Sequence, residues 1–146
     1  MSSLFTSMKI SSAGLAAQRE RMNVLSSNLA NAQTTKTEEG GPYKRQDVVF
    51  SAVPTHGPFE KFLDEDFGTQ LREVKVVNIH EDQKEPRMVF DPNHPHANET
   101  GHVAMPNINV MTEMVNMIAA TRAYEANTTA VNNAKQMAMK ALEIGR

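Results

Sequence analysis

The sequence predicts an α+β protein in which long N- and C-terminal α-helices bracket a small, mainly antiparallel β region. Three observations point there. Met1 to Ala32 and Val110 to Arg146 both read as long helices rich in small and polar residues. The residues between them read as short strands and turns. Neither end carries a full apolar stripe, so neither helix can bury itself well within one chain.

The first helix is expected to start near Ser2 or Ser3, either of which can cap it by accepting a backbone N–H bond. It should close near Asn28–Asn31, because Asn tolerates the left-handed conformation that often ends a helix. Along it, Met8, Leu15, Met22 and Leu29 recur every seven residues, while Ser11, Gln18 and Leu25 fill the other seam positions. Half of the stripe is therefore polar or small. Residues 33–42 form a polar run closed by Gly40, Gly41 and Pro42 and predict a turn-forming linker. Strands are expected over Tyr43–Val53, Leu71–Ile79 and Arg87–Phe90, three short runs of strand formers that would make one thin sheet. Between the first two, Pro54–Thr69 embeds Phe59, Phe62 and Phe67 among Gly, Pro and acidic residues, and predicts a loop tucking some rings onto the sheet. The second helix carries Val110, Met114, Met117, Thr121, Tyr124, Thr128, Val131, Lys135, Ala138 and Leu142 at alternating steps of four and three, again a diluted heptad. At about 1.5 Å per residue the two helices are roughly 40 and 50 Å long. Globular helices average about 11 or 12 residues. Helices of this length and polarity need partners, and the pattern points to other chains.

Composition narrows the function classes. With 146 residues, 40 % hydrophobic and 22 % charged, the chain fits one domain rather than a disordered polymer. A formal charge of -2 argues against nucleic acid, which needs a clustered basic surface; the nearest cluster, Lys44 with Arg45, reads as a solvated strand edge. No apolar run reaches the roughly 18 residues of a membrane span, and the N-terminus lacks a secretory signal pattern. No cysteine is present, which removes disulfides and thiolate chemistry.

Catalytic and cofactor motifs are weak. His94, His96 and His102, with Asp91 and Glu99, fall within twelve residues and raise the question of a metal site, since imidazole and carboxylate ligate zinc or iron. The spacing favours a turn-rich connector: no pair of histidines sits at helical spacing to fix two ligands on one face, and Asp-Pro, Asn and Gly serve backbone geometry. No activated serine or phosphate-binding glycine loop is found, so the expectation is no enzyme, no metal and no cofactor. The weighed alternatives are a metal-dependent cell-wall hydrolase acting through the three histidines, and a helical adaptor. Met105, Met111, Met114, Met117, Met137 and Met139 read as packing beside Ala119, Ala120, Ala123 and Ala126. Asn116, Asn127, Asn132 and Asn133 suit bonds across chains in a multi-helix array.

Ala13-Gly14-Leu15, Asn23 and Ser26-Ser27-Asn28-Leu29-Ala30-Asn31-Ala32 resemble the N-terminal signature of bacterial flagellar rod and hook proteins. Gly41–Arg45, Val48-Val49-Phe50, Asp91–Glu99, Met105–Val110, Glu113–Met117, Arg122–Asn127 and Ala141–Arg146 extend the resemblance over nearly the whole chain, leaving about 51–83 without distinctive matches. The resemblance implies a structural subunit of the proximal rod of the flagellar basal body, a helical drive shaft that transmits motor torque to the hook. It implies export through the flagellar type III apparatus without a cleaved signal peptide, and a place beyond the inner membrane, periplasmic in Gram-negative cells. Residues 1–32 and 110–146 would then pair as a coiled-coil-like inner domain, with linker and β region 33–109 outside it. Implied partners are other copies of itself, other proximal and distal rod proteins and the rod-to-ring adaptor. On this reading the assembly interface takes Leu15, Met22, Asn28, Leu29 and Asn31 from the first helix. From the second it takes Val110, Met114, Asn116, Met117, Tyr124, Asn127 and Val131.

Overall fold

The computed structural model describes residues 2–55 and 71–144. Helix α1 spans Ser2–Ala30 and helix α2 spans Val110–Ile144; between them lie β1 (Gln46–Pro54), β2 (Arg72–Glu81), β3 (Arg87–Phe90) and β4 (His102–Met105). The expected fold class is the one observed. Phe59, Phe62 and Phe67 lie outside the described residues.

α1 and α2 pack side by side and antiparallel, and α1 also lies against β1 and β2. Two contacts fix the helix register. Asn28 bonds to Glu113, and Gly14 lies so close to Asn127 that a Cβ built on it would sit 2.8 Å from the Asn127 Oδ1. These contacts are two heptads apart on both helices, so the row containing Gly14 and Asn28 faces the row Glu113, Ala120, Asn127. The seam of α2 that is withdrawn from solvent is thus Glu113, Met117, Ala120, Tyr124, Asn127, Val131, Ala134 and Ala138. The sequence pattern identifies one of its two rows, the one running Met117, Tyr124, Val131, Ala138. The other row is displaced by one residue: Met114, Thr121, Thr128 and Lys135 are exposed, and Thr121 and Thr128 turn their hydroxyls back onto the carbonyls of Met117 and Tyr124. Close approach explains the shift, because Ala and Asn fit between helices where Met114 does not.

Gly14→Ala tests this approach. Alanine alone favours a helix over glycine by roughly 0.5–1 kcal/mol, but here its methyl meets an Asn127 side chain tied to the Ala123 carbonyl at 2.8 Å. The expected result is a net loss of about 1 kcal/mol, turning into a gain when Asn127 is also replaced by Ala; thermal unfolding of the four proteins of the cycle reads the coupling.

The core is small. Among the described residues the buried apolar side chains are Ala17, Val24, Leu25, Val103, Ala120 and Ala134. Among the described residues the strands form two separate two-stranded antiparallel ribbons, β1–β2 and β3–β4, which corrects the expected single three-stranded sheet. Arg87–Phe90 pairs with a strand at His102–Met105 that the sequence reading placed in the connector and the segment after it. A register shift between Val49 and Phe50 interrupts the first ribbon. The end of α1 also differs in mechanism: no residue other than glycine has positive φ among the described residues. The last turn instead closes through Asn31 N–H to the Ser27 carbonyl at 3.0 Å. No helix among the described residues is long and apolar enough to cross a membrane.

The first ribbon is tied to α1 by Glu73, a buried carboxylate on β2 with Lys75 Nζ at 3.0 Å and Lys9 Nζ of α1 at 3.7 Å. The Lys75 bond, opposed by desolvation and aided by both lysine charges, holds the Glu73 carboxyl below its ordinary value of 4.5. A carboxylate depressed on folding stabilises the protein above its unfolded-state value, and this contribution disappears as pH falls through the folded value. Urea midpoints measured from about pH 6 down to about pH 3 should therefore fall more steeply below about pH 4.5 in the parent than in Glu73→Gln.

Candidate functional site: a polar clamp and an open helix flank

Where α1 ends, β1 begins and α2 begins, the three segments meet around one amide. Asn28, 0 % exposed, donates from Nδ2 to the Gln46 carbonyl at 2.8 Å and to Glu113 Oε2 at 3.1 Å. Its Oδ1 accepts from the Gln46 N–H at 2.9 Å and from the Tyr43 hydroxyl at 3.2 Å. Both donors and both lone pairs are used. The amide acts on Gln46 as a neighbouring strand would, bonding both its N–H and its C=O. Glu113, 1 % exposed, sits in the first turn of α2, where the helix dipole favours an anion. Its Oε1 accepts from Arg45 Nε at 2.9 Å, and Arg45 Nη1 reaches Asp47 Oδ2 at 3.2 Å. Burial opposes the charge on Arg45, but the bonds to Glu113 and Asp47 outweigh it and hold the guanidinium above its ordinary value. Asn109 caps the same helix, its Oδ1 accepting from the N–H groups of Met111 and Thr112.

This geometry corrects one expectation. Arg45 is not part of a solvated edge; only Lys44 is, while Arg45 keeps 20 % of its side chain exposed and is paired inward. Asn28 and Asn31 are occupied within the chain, Asn28 by the clamp and Asn31 by a bond to the Ser27 carbonyl and one from the Thr34 hydroxyl. Leu15, Met22 and Leu29 are half-buried on α1, as are Asn116, Met117, Tyr124, Asn127 and Val131 on α2. Met22 Sδ accepts a long bond from the Thr121 hydroxyl at 3.6 Å. Val110 and Met114 point away from the hairpin. With Met111, Val115 and Ile118 they make an exposed apolar flank at the start of α2.

The histidines form a connector. His94 Nδ1 accepts from the His96 N–H at 3.1 Å, His96 Nδ1 meets the Thr35 hydroxyl at 2.8 Å, and His102 Nδ1 lies 3.1 Å from the Thr100 carbonyl. Asn98 Oδ1 organises the turn by accepting from Thr100 N–H, Thr100 Oγ1 and His102 N–H. Gly101 has φ +76°, and a Cβ there would come within 3.0 Å of the Phe90 ring, so this turn requires glycine. Among the described residues no three His, Asp or Glu side chains converge as a metal site would require.

A hairpin of two long helices with a polar clamp at one end, a thin β region and an open apolar flank is a subunit built for assembly. Two family descriptions match it: "Flagella basal body rod protein" over residues 8–36 and "Flagellar basal body rod FlgEFG protein C-terminal" over residues 99–144. The class is that of flagellar basal-body rod proteins. Relatives called "Flagellar basal-body rod protein FlgC" align over nearly the full chain. The protein from Borreliella burgdorferi is 41 % identical and covers 97 % of both chains. That from Bacillus subtilis is 43 % identical over 97 % of this chain and 98 % of its own, and that from Salmonella typhimurium is 38 % identical over 94 % of both. The chain belongs to the FlgC family of basal-body rod proteins.

Proposed function

We propose that this chain is a structural subunit of the flagellar basal-body rod, placed in its proximal segment and passing motor torque toward the hook. The observation that carries the reading is the apolar flank Val110, Met111, Met114, Val115 and Ile118, in a chain whose own core is mostly alanine and valine. A soluble monomer gains nothing from exposing it; a lattice of helices buries it at every copy. In this reading residues 1–32 and 110–146 build the inner layer, residues 33–109 lie outside it, and Leu15, Met22, Leu29, Met117, Tyr124 and Val131 pack at helix contacts. The partners are other copies, proximal and distal rod proteins and the rod-to-ring adaptor. The chain leaves the cell interior through the type III apparatus without a cleaved signal and works beyond the inner membrane, as a building element and not as an enzyme. Deleting its gene should leave basal bodies without distal rod or hook, restored by the intact gene. Hook-bearing basal bodies in the deletion strain would contradict the proposal.

A further inference from the structure

Among the described residues, two of the three largest fully buried side chains are Glu113 and Asn28. A buried ion pair adds little stability over apolar groups of the same volume, yet it closes in one geometry only. The rest of the row that Glu113 heads has the opposite property. Ala120, Asn127 and Ala134 follow at steps of seven along the row that faces Gly14, and all three are small. Sliding α2 by one heptad would put Ala120 or Ala134 over Gly14 with no steric penalty there. The same slide would carry Glu113 roughly 10 Å along the axis, away from Asn28 and Arg45.

We propose that the Asn28–Arg45–Glu113 cluster is the register lock of the α1–α2 hairpin: it selects which of several heptad alignments the helices adopt and adds little to how tightly they hold. The cluster is suited to this because its members come from three segments, at the end of α1, before β1 and in the first turn of α2. All three arrive together in a single alignment. The inference stands on the isolated chain and does not depend on the rod reading.

The natural sequence has no cysteine, so disulfide trapping reads the register directly. Gly14→Cys with Asn127→Cys reports the observed alignment, since the Asn127 Cγ lies 3.1 Å from a Cβ built at position 14. A cysteine sulfur at position 127 takes the place of that Cγ, and in a disulfide the sulfur of one cysteine stands about 3 Å from the Cβ of the other. Gly14→Cys with Ala120→Cys, and Gly14→Cys with Ala134→Cys, report slips of one heptad either way; both also carry Asn127→Ala to clear the space opposite residue 14. In a glutathione redox buffer the parent background should close the first pair in at least roughly tenfold excess over either slipped pair, the preference that about 1.4 kcal/mol confers. With Asn28→Leu, Arg45→Leu and Glu113→Leu combined, helical circular dichroism should persist while the excess falls to about twofold or less. An excess that stays near tenfold in that variant overturns the lock. If the triple variant loses its helical signal, Glu113→Gln decides, because it keeps the shape and the Asn28 bond but removes the ion pair. A drop of at least about threefold in the ratio upholds the lock, and an unchanged ratio overturns it.

Discussion

Introducing Asp at both Met114 and Ile118 should abolish swimming while the chain is still made at its normal level. Both side chains stand in solvent in the single chain, 41 % and 56 % exposed, so the substitutions cost the hairpin only the helix propensity of aspartate, about half a kcal/mol each. In the rod packing proposed above, the same positions would meet neighbouring helices. Each carboxylate would then be buried without a partner, at several kcal/mol per site, and the cost recurs at every copy. Swimming on soft agar, immunoblots of whole cells and electron microscopy of basal bodies read the outcome. Unimpaired swimming would show that this flank faces solvent in the rod.

The second large effect is at the clamp. Glu113→Ala leaves one buried donor of Asn28 without a partner and takes from Arg45 its inner, buried partner, and removing one partner of a buried pair costs about 3 kcal/mol. For a chain of this length that corresponds to a fall of about 10 °C in Tm. Asp47→Ala, which removes only the outer, 59 % exposed partner of Arg45, should change stability by less than about 1 kcal/mol. Circular dichroism melts of the two variants check the contrast. Equal losses would mean that the buried and exposed halves of the ion-pair chain contribute alike.

The helices were legible in the sequence because long periodic segments leave few alternatives. The alignment of α2 was legible only in part. A hydrophobic pattern favours Met114 over Glu113 for the seam, whereas the row facing Gly14 and Asn28 is made of Glu113, Ala120, Asn127 and Ala134, and Met114 turns outward. A buried Glu is invisible to a hydrophobic pattern, since its burial depends on Asn28 and Arg45, distant in sequence. For the same reason Arg45 looked like half of an exposed cationic pair. The β4 strand is not visible in the sequence because four residues pairing with Arg87–Phe90 carry no signal apart from their partner, and His102 belongs by pattern to the turn before it. Asn28 and Asn31 stood out through family resemblance, but what they bond to became visible only when β1 was placed beside α1. The outward apolar flank could be identified only once the inward face was known.

A density map of intact basal bodies, at a detail that resolves side chains, tests the rod assignment most directly. The predicted result is that this chain occupies the rod with its two helices paired within one subunit. Val110, Met111, Met114, Val115 and Ile118 should be covered by helices of neighbouring subunits, with Asn28 and Glu113 joined inside each copy. A map in which that flank lines a solvent channel, or in which density for this chain is absent from the rod, would contradict it.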